Sequence, residues 1–271
     1  MTEQALRDIR LIYGTATSLT EELSNAARLV GDSALVFLEA EAIRFGFPSA
    51  AVLLGILATT NSFISGSLAL AAIHPNTFSP HDIDFYVSER NEAMLVACLQ
   101  VFGYHEIPTP VPDYLPPKPS IIMHVSTYAR HVVPDATPTT INIICRNSRF
   151  HCLNSITGFH STLVMNMITW YGIVCLYPKW TIAKQGLIVI DTPKTRRCFA
   201  KYEGRGYTFL QHDLDYVRSL PRRSINGNGV LFVPFTLEGV PTVFTPKLGK
   251  FRWLLANTAY RSPKIVDSDP K

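Results

Sequence analysis

Two small residues in the stretch from Phe63 to Val87 are of the types that phosphate chemistry uses. Gly66 and Ser67 follow a short apolar run and precede small apolar residues typical of a helix. A strand that ends at Gly-Ser and opens a helix presents backbone amides and a hydroxyl at the helix amino terminus, where a phosphate group is stabilised. We therefore expect Gly66 and Ser67 to contact a phosphorylated ligand.

Two acidic residues complete the pattern. Asp82 and Asp84 lie in a β-rich run, so both side chains project from one face of a strand with their Cβ atoms about 7 Å apart. The apolar residues between and after them, Ile83 and Phe85, point into the core and fix the carboxylates. Oxygen ligands at this spacing can share one or two Mg²⁺ or Mn²⁺ ions. Metal ions held in this way neutralise the charge that develops on a transferred phosphate.

The combined pattern, an apolar run, Gly, Ser and a helix followed by Asp-apolar-Asp-apolar on a strand, resembles the core motif of the nucleotidyltransferase superfamily with the DNA polymerase beta-like fold. The wider sequence, ISGSLAL with HDIDFYV, INII and FHSTLVMNMI, is similar to a group of uncharacterised fungal proteins that carry the motif. The resemblance implies that Gly66 and Ser67 contact the phosphates of a nucleoside triphosphate (NTP), and that Asp82 and Asp84 hold Mg²⁺. It also implies transfer of a nucleotidyl group to an acceptor.

Asn142 stands where the superfamily usually has a third carboxylate, on the candidate strand TTINIICR. An amide oxygen can ligate a cation, but it cannot accept a proton from an attacking hydroxyl as a carboxylate can. Two hypotheses follow: a nucleotidyltransferase, or a catalytically silent protein of the same fold that binds nucleotides or a protein partner. Asp135 or Asp191 would supply the missing carboxylate if the fold brought either one close.

Basic residues offer further contacts to phosphate. Lys184 precedes a predicted strand, and the resemblance allows it to reach the triphosphate; the alternative is a surface lysine whose stem covers apolar neighbours. Residues 1–193 carry 11 Lys+Arg against 15 Asp+Glu, whereas residues 194–271 carry 14 against 6. A basic segment on an acidic body suggests a nucleic acid or another anionic acceptor, or a face docked on the acidic part. The densest basic run, with aromatic residues that could stack on bases, contains Arg196, Arg197, Phe199, Lys201, Tyr202, Arg205 and Tyr207.

Three other kinds of site are alternatives. His81 with Asp82 could centre a metal-dependent phosphohydrolase, although that site needs a helix and DIDFYV is β-rich. His160 and Ser161 lack the glycines of a hydrolase nucleophile turn. A zinc site could use a cluster whose spacing matches no standard zinc finger. That cluster consists of Cys145, His151, Cys152 and His160.

Cysteine usage and charge distribution bear on the cellular setting. The five cysteines form no C-x-x-C pair, and there is no N-x-[ST] acceptor, which favours a reducing intracellular compartment, the cytoplasm or the nucleus. The amino end, MTEQALRDIRLIYG, is unlike a secretory signal. The uncharged stretches Phe45–Pro80 and Gly158–Pro178 are long enough to span a bilayer, but the polar residues that interrupt both predict buried elements and no membrane span.

The elements that must position these residues are predicted to form an α/β (α+β) fold. A composition of 47% apolar and 17% charged residues suits one compact unit or two closely packed ones. We predict a small mixed β-sheet flanked by helices. Residues 1–47 form a helical amino-terminal segment, residues 48–193 the nucleotidyltransferase-like core, and residues 194–271 a basic segment packed on that core.

Caps and apolar spacing predict the individual elements. A capping box at Ser18–Glu21 starts one helix, and Asp32 with Ser33 caps a second that ends at Gly46. Further predicted helices are Ala50–Ala58, Leu68–Ile73, Asn91–Phe102 and Thr162–Trp170. Predicted strands are Ser62–Ser65, Ile83–Val87, Ile121–Tyr128, Thr139–Cys145, Ile173–Leu176 and Leu187–Ile190, with a loop at Pro108–Pro119 and turn signals at Asn226–Gly229.

Overall fold

The structure is a computed structural model that describes residues 30–31, 33–108, 121–130, 139–211, 223–225, 229–235 and 252–253. The predicted capping box at residues 18–21 lies outside the described residues. So do nearly all of the predicted proline-rich loop and most of the turn signal that ends at residue 229.

Twelve strands are described. They are β1 Phe63–Ser65, β2 Asp82–Ser88, β3 His105–Ile107, β4 Ile122–Arg130, β5 Thr139–Arg146, β6 Asn166–Thr169, β7 Gly172–Cys175, β8 Gln185–Leu187, β9 Thr208–Leu210, β10 Arg223–Ser224, β11 Leu231–Pro234 and β12 Arg252–Trp253. Eight of them form one sheet in the order β11-β7-β6-β1-β2-β5-β4-β3. The β2–β5 pair in this sheet is parallel and its other pairs are antiparallel. The predicted mixed α/β fold is therefore confirmed.

Helices cover the sheet. They are α1 at residues 33–44, α2 Ala50–Thr60, α3 Gly66–Ile73, α4 Glu92–Val101, α5 Asn154–Thr157, α6 Pro178–Ile182 and α7 Pro193–Glu203, with a 3-10 turn at Thr162–Val164. Residues 30 and 31 are helical as well, and the Ser33 hydroxyl donates to the carbonyl of Val30. Ser33 therefore lies after helical residues and does not cap a helix start, contrary to the prediction, and Asp32 lies outside the described residues. The chain does turn at Gly46, where φ is +80°.

The predicted helix at Thr162–Trp170 is also wrong. A short 3-10 turn is followed by β6, which pairs with both β1 and β7. All four residues of β6 are buried, so the strand is covered on both faces. A short, fully buried segment of this kind cannot be assigned to a helix or a strand by its periodicity.

Two hydrophobic cores lie on opposite faces of the sheet. Ile83 and Phe85 pack with α1 and α2 in the larger core, whereas Tyr86 stacks on Phe63 in the second. The larger core includes Phe45, residues of the predicted central segment and Val233. Residues of all three predicted segments therefore share one core.

Both long uncharged stretches are divided among short elements. Residues 45–80 contain α2, β1 and α3, and residues 158–178 contain the 3-10 turn, β6 and β7. Among the described residues, no helix combines the length and the apolar character that crossing a bilayer requires.

Candidate functional site

The candidate site forms where β1, β2 and β5 lie side by side. Ser65 at the end of β1 is opposite Asp84, and Asp84 is opposite Asn142 in the parallel β2–β5 pair. Asn142 is in turn opposite Thr127 on β4. Because partners in neighbouring strands project from the same face of a sheet, four strands bring this polar row together.

Gly66 allows the closest approach in the site. Its φ is +72°, a region that favours glycine, and a Cβ atom there would lie 2.3 Å from Oδ2 of Asp84. The turn from β1 into α3 therefore passes directly against the carboxylate.

The amino terminus of α3 faces this carboxylate pair. Ser67 donates its hydroxyl to Oδ1 of Asp82 over 3.4 Å. The N-cap residue Ser65 makes no side-chain cap, because its hydroxyl instead donates to the carbonyl of Asn166 over 2.5 Å. The first amides of α3 are thus not capped by Ser65, and a helix amino terminus of this kind favours an anionic oxygen.

Asn142 bridges the two acidic side chains. Its Nδ2 donates to Oδ1 of Asp84 over 2.9 Å and to Oδ2 of Asp82 over 3.3 Å, while its Oδ1 accepts from the Thr127 hydroxyl over 2.9 Å. Ionised carboxylates only accept hydrogen bonds, so the amide nitrogen is the end that must face them. In this arrangement Asn142 positions the carboxylates, and its oxygen is turned away from them.

Electrostatics make the carboxylate pair receptive to a cation. Burial and the neighbouring charge of Asp82 raise the pKa of Asp84 to about 7, and both the Asn142 hydrogen bond and Lys201 oppose that rise. Two adjacent carboxylates are a donor set that suits a hard cation such as Mg²⁺ or Mn²⁺. A divalent cation would relieve the repulsion between Asp82 and Asp84.

The structure brings together Gly66, Ser67, Asp82, Asp84 and Asn142, but it places Lys184 elsewhere. Lys184 is exposed and lies near His74, where its positive charge contributes to lowering the pKa of that histidine. His74 caps the carboxyl end of α3, about 12 Å along the helix from Gly66. None of the described contacts joins Lys184 to either aspartate.

Lys201 on α7 is the basic residue that the sequence did not assign to this site. Its charge acts on both Asp84 and His160. The position of α7 was signalled by Thr192, which forms a capping box with Thr195, and by Pro193 at the first helical position. Those signals predict the helix, but the face that it turns toward Asp84 depends on the fold.

Of the two alternative carboxylates, Asp191 does not complete the site. Asp191 is exposed, and its Oδ1 lies 2.8 Å from Nε of Arg196. Asp135 lies outside the described residues.

The alternative sites are also not assembled. His81 is exposed and β2 begins at Asp82, so a helical His-Asp pair is ruled out. His160 Nε2 and the Ser161 hydroxyl are both buried without a hydrogen-bond partner, so they form no nucleophile-base pair.

The predicted zinc cluster is divided. Cys152 lies beside His151, with 3.8 Å between Sγ and Nδ1, and the ring of His160 packs on Phe199. Within the described part of the chain, Cys145 instead converges with Glu92 and His124.

No family model matches this chain. No curated protein matches it either.

Proposed function

We propose that this protein binds an NTP with Mg²⁺, or Mn²⁺, and transfers a nucleotidyl group from it to an acceptor. The observation that supports the proposal best is the meeting of the α3 amino terminus with Asp82 and Asp84. The glycine-serine turn and the two carboxylates are separated by 14 residues, Leu68 to His81, yet they touch in the fold. The resemblance of this motif to the nucleotidyltransferase superfamily supports the same function.

Each residue has a distinct role in the proposed reaction. The amides of Gly66 and Ser67 and the Ser67 hydroxyl bind phosphate oxygens, and the missing side chain of Gly66 leaves room for the Asp84 carboxylate beside them. Asp82 and Asp84 hold the cation. When bound, Mg²⁺ would neutralise negative charge on the reacting phosphate.

Proton transfer from the acceptor needs a base. Asn142 cannot accept the proton of an acceptor hydroxyl, so within this cluster that role falls to a carboxylate.

The acceptor is proposed to be anionic, with nucleic acid as the first class to test. Residues 194–271 carry the excess of basic residues, and α7 from this segment brings Lys201 toward Asp84. We place the reaction inside the cell, in the cytoplasm or the nucleus, because the five cysteines are free thiols.

Thermal unfolding tests nucleotide binding. The protein is heated with each of four NTPs, with and without Mg²⁺ or Mn²⁺, since binding to the native state raises the midpoint by mass action. We expect a metal-dependent rise with at least one NTP, and we expect Asp82→Asn with Asp84→Asn to abolish it. Asp191→Asn is the matched control, because it removes one exposed acidic charge outside the cluster. An equal rise in the double variant would refute the proposed site.

A catalytically silent nucleotide-binding protein is the second candidate, and Asn142 is the observation that favours it. Pyrophosphate release with RNA as the acceptor is measured for the parent and for Asn142→Asp, which supplies a third carboxylate. Release by the parent excludes the silent candidate. Release by the variant alone, with NTP binding retained in both proteins, supports it.

A further inference from the structure

A second cluster of polar side chains lies on the face of the sheet opposite Asn142. Its members are Glu92, the first residue of α4, His124 on β4 and Cys145 on β5. Cys145 is three positions after Asn142, and side chains alternate along a strand, so the two project from opposite faces. It is also opposite Val87, which belongs to the larger core on that face.

The ligand atoms of these three side chains are close together. One carboxylate oxygen of Glu92, one ring nitrogen of His124 and the sulfur of Cys145 all lie within 4.8 Å of one another. Bonds of about 2.0 to 2.3 Å to a tetrahedral Zn²⁺ place ligand atoms roughly 3 to 4 Å apart. Small side-chain rotations would therefore bring all three atoms onto one ion.

Local structure holds the cluster in place. The β4–β5 register shifts between Ile122 and His124, and this irregularity sets His124 opposite Cys145. Irregularities of this kind re-aim a side chain and are frequent beside functional sites. On the other side, the Asn91 side chain donates to the carbonyl of Thr60 over 3.0 Å, which ties the start of α4 to α2.

Exposure differs among the three side chains. Cys145 is fully buried, the Glu92 side chain is 21% exposed and the His124 side chain is 48% exposed. The cluster is thus closed at the sulfur and open to solvent at the imidazole. Three protein ligands with one solvent-facing position match the coordination of an open zinc site.

We propose that Glu92, His124 and Cys145 bind one Zn²⁺ ion, with solvent in the fourth position. A thiolate, an imidazole and a carboxylate together favour zinc over Mg²⁺, Ca²⁺ or Mn²⁺, which prefer oxygen ligands alone. On binding, the thiol proton leaves to solvent as the sulfur-zinc bond forms, and no electron is transferred. Nε2 of His124, now 2.6 Å from Oε1 of Glu92, exchanges that contact for a bond to zinc. The proton held between these two atoms passes through solvent to Nδ1 of His124, which leaves the imidazole neutral with a free lone pair on Nε2.

The bound Zn²⁺ ion would link the first turn of α4 to strands β4 and β5. Such a site stabilises the native state without taking part in nucleotide chemistry, because it lies on the other face of the sheet. The inference is therefore independent of the proposed function.

Zinc content and Co²⁺ spectroscopy test this inference on the full chain. After treatment with a chelator and dialysis against Zn²⁺, we expect one zinc per chain by elemental analysis. With Co²⁺ in place of Zn²⁺, we expect a thiolate-to-cobalt charge-transfer band. A raised unfolding midpoint with Zn²⁺ but not with Mg²⁺ gives a third readout.

Variants distinguish zinc bound at this cluster from zinc bound adventitiously elsewhere on the protein. His124→Asn changes a half-exposed side chain and should fold, yet lower zinc affinity at least about 100-fold, since loss of an outer partner alone costs 10- to 100-fold. His105→Asn, at an exposed histidine on the adjacent strand β3, is its control. Cys145→Ser should remove the charge-transfer band, whereas Cys175→Ser, at another buried cysteine, should keep it.

Two results would overturn the inference. One is the absence of stoichiometric zinc in the parent protein. The other is zinc affinity that His124→Asn leaves unchanged. The Asp82→Asn, Asp84→Asn variant should retain its zinc, which distinguishes this site from the carboxylate pair.

Discussion

Gly66 shows how one missing side chain makes the candidate site possible. Two separate features exclude a Cβ atom at Gly66: its positive φ, and the 2.3 Å at which such an atom would lie from Oδ2 of Asp84. Backbone strain at such a position costs about 1–2 kcal/mol for a residue with a Cβ atom. Contact with a carboxylate oxygen adds a second, local cost, because Asp84 must move.

Gly66→Ala is predicted to lower the free energy of unfolding and to remove the NTP-dependent rise in unfolding temperature. Gly206→Ala is the matched control, because Gly206 has a φ of +83° and open space around its Cβ position. Urea unfolding of both variants separates the backbone strain from the contact with Asp84. Equal losses of stability in the two variants would contradict the close approach at Gly66.

His160 predicts a pH dependence of stability. Burial, aided by the charge of Lys201, lowers its pKa from 6.5 to about 4. As the pH falls below 6.5, His160 binds a proton in the unfolded chain but stays neutral in the native state. The free energy of unfolding therefore decreases until the pH reaches about 4. The full contribution is roughly 3 kcal/mol.

His160→Phe is predicted to flatten this part of the pH profile while keeping an aromatic ring against Phe199. The free energy of unfolding of both proteins is measured by urea titration between pH 7 and 4. The same loss of stability in parent and variant would exclude a buried neutral histidine as the cause.

At the scale of elements, the parallel β2–β5 pair and the antiparallel β1–β2 pair decide which polar residues meet. Close backbone contact is also needed at the edge of the sheet, where β11 pairs with β7. A Cβ atom on Gly172 in β7 would lie 2.4 Å from the backbone oxygen of Val233 in β11. Backbone cannot yield as the end of a side chain can, so β11 would have to shift.

Gly172→Ala is predicted to lower the free energy of unfolding by about 1–3 kcal/mol through this overpacking. Gly55→Ala is predicted to change stability in the opposite direction, by up to about 1 kcal/mol, because Gly55 is an exposed residue inside α2 with nothing near its Cβ position. Chemical denaturation measures both. A stable Gly172→Ala variant would show that β11 does not lie against β7.

In the whole molecule, one core joins helix α1 with strands β2 and β11, which are far apart along the chain. Leu38 on α1 is fully buried in the same cluster as Ile83 and Val233. The helix before the candidate site is therefore part of the scaffold that supports β2.

Leu38→Ala is predicted to destabilise the protein by about 2–5 kcal/mol, since it leaves a cavity in that core. Val36→Ala, on the same helix but 72% exposed, is predicted to change stability by no more than about 0.5 kcal/mol. Unfolding followed by far-UV circular dichroism tests both. Equal effects would mean that α1 does not dock as described.

Local patterns in the sequence were sufficient for the elements that carry the candidate site. The alternation DIDFYV predicted β2 with both aspartates on one face, and TTINIICR predicted β5. The Gly-Ser step predicted the start of α3. These predictions succeeded because backbone periodicity and glycine conformation are properties of neighbouring residues.

Tertiary structure decided which of those residues meet. The orientation of Asn142 depends on Thr127 and on two carboxylates. The charge of Lys201 acts on Asp84 because the fold places α7 near the site. β6 is a strand because β1 and β7 pair with it. The cluster of Glu92, His124 and Cys145 has no spacing that a linear pattern could reveal. Contacts between residues that are distant along the chain depend on strand order and packing, so the sequence determined the parts of the site and the fold determined how they are assembled.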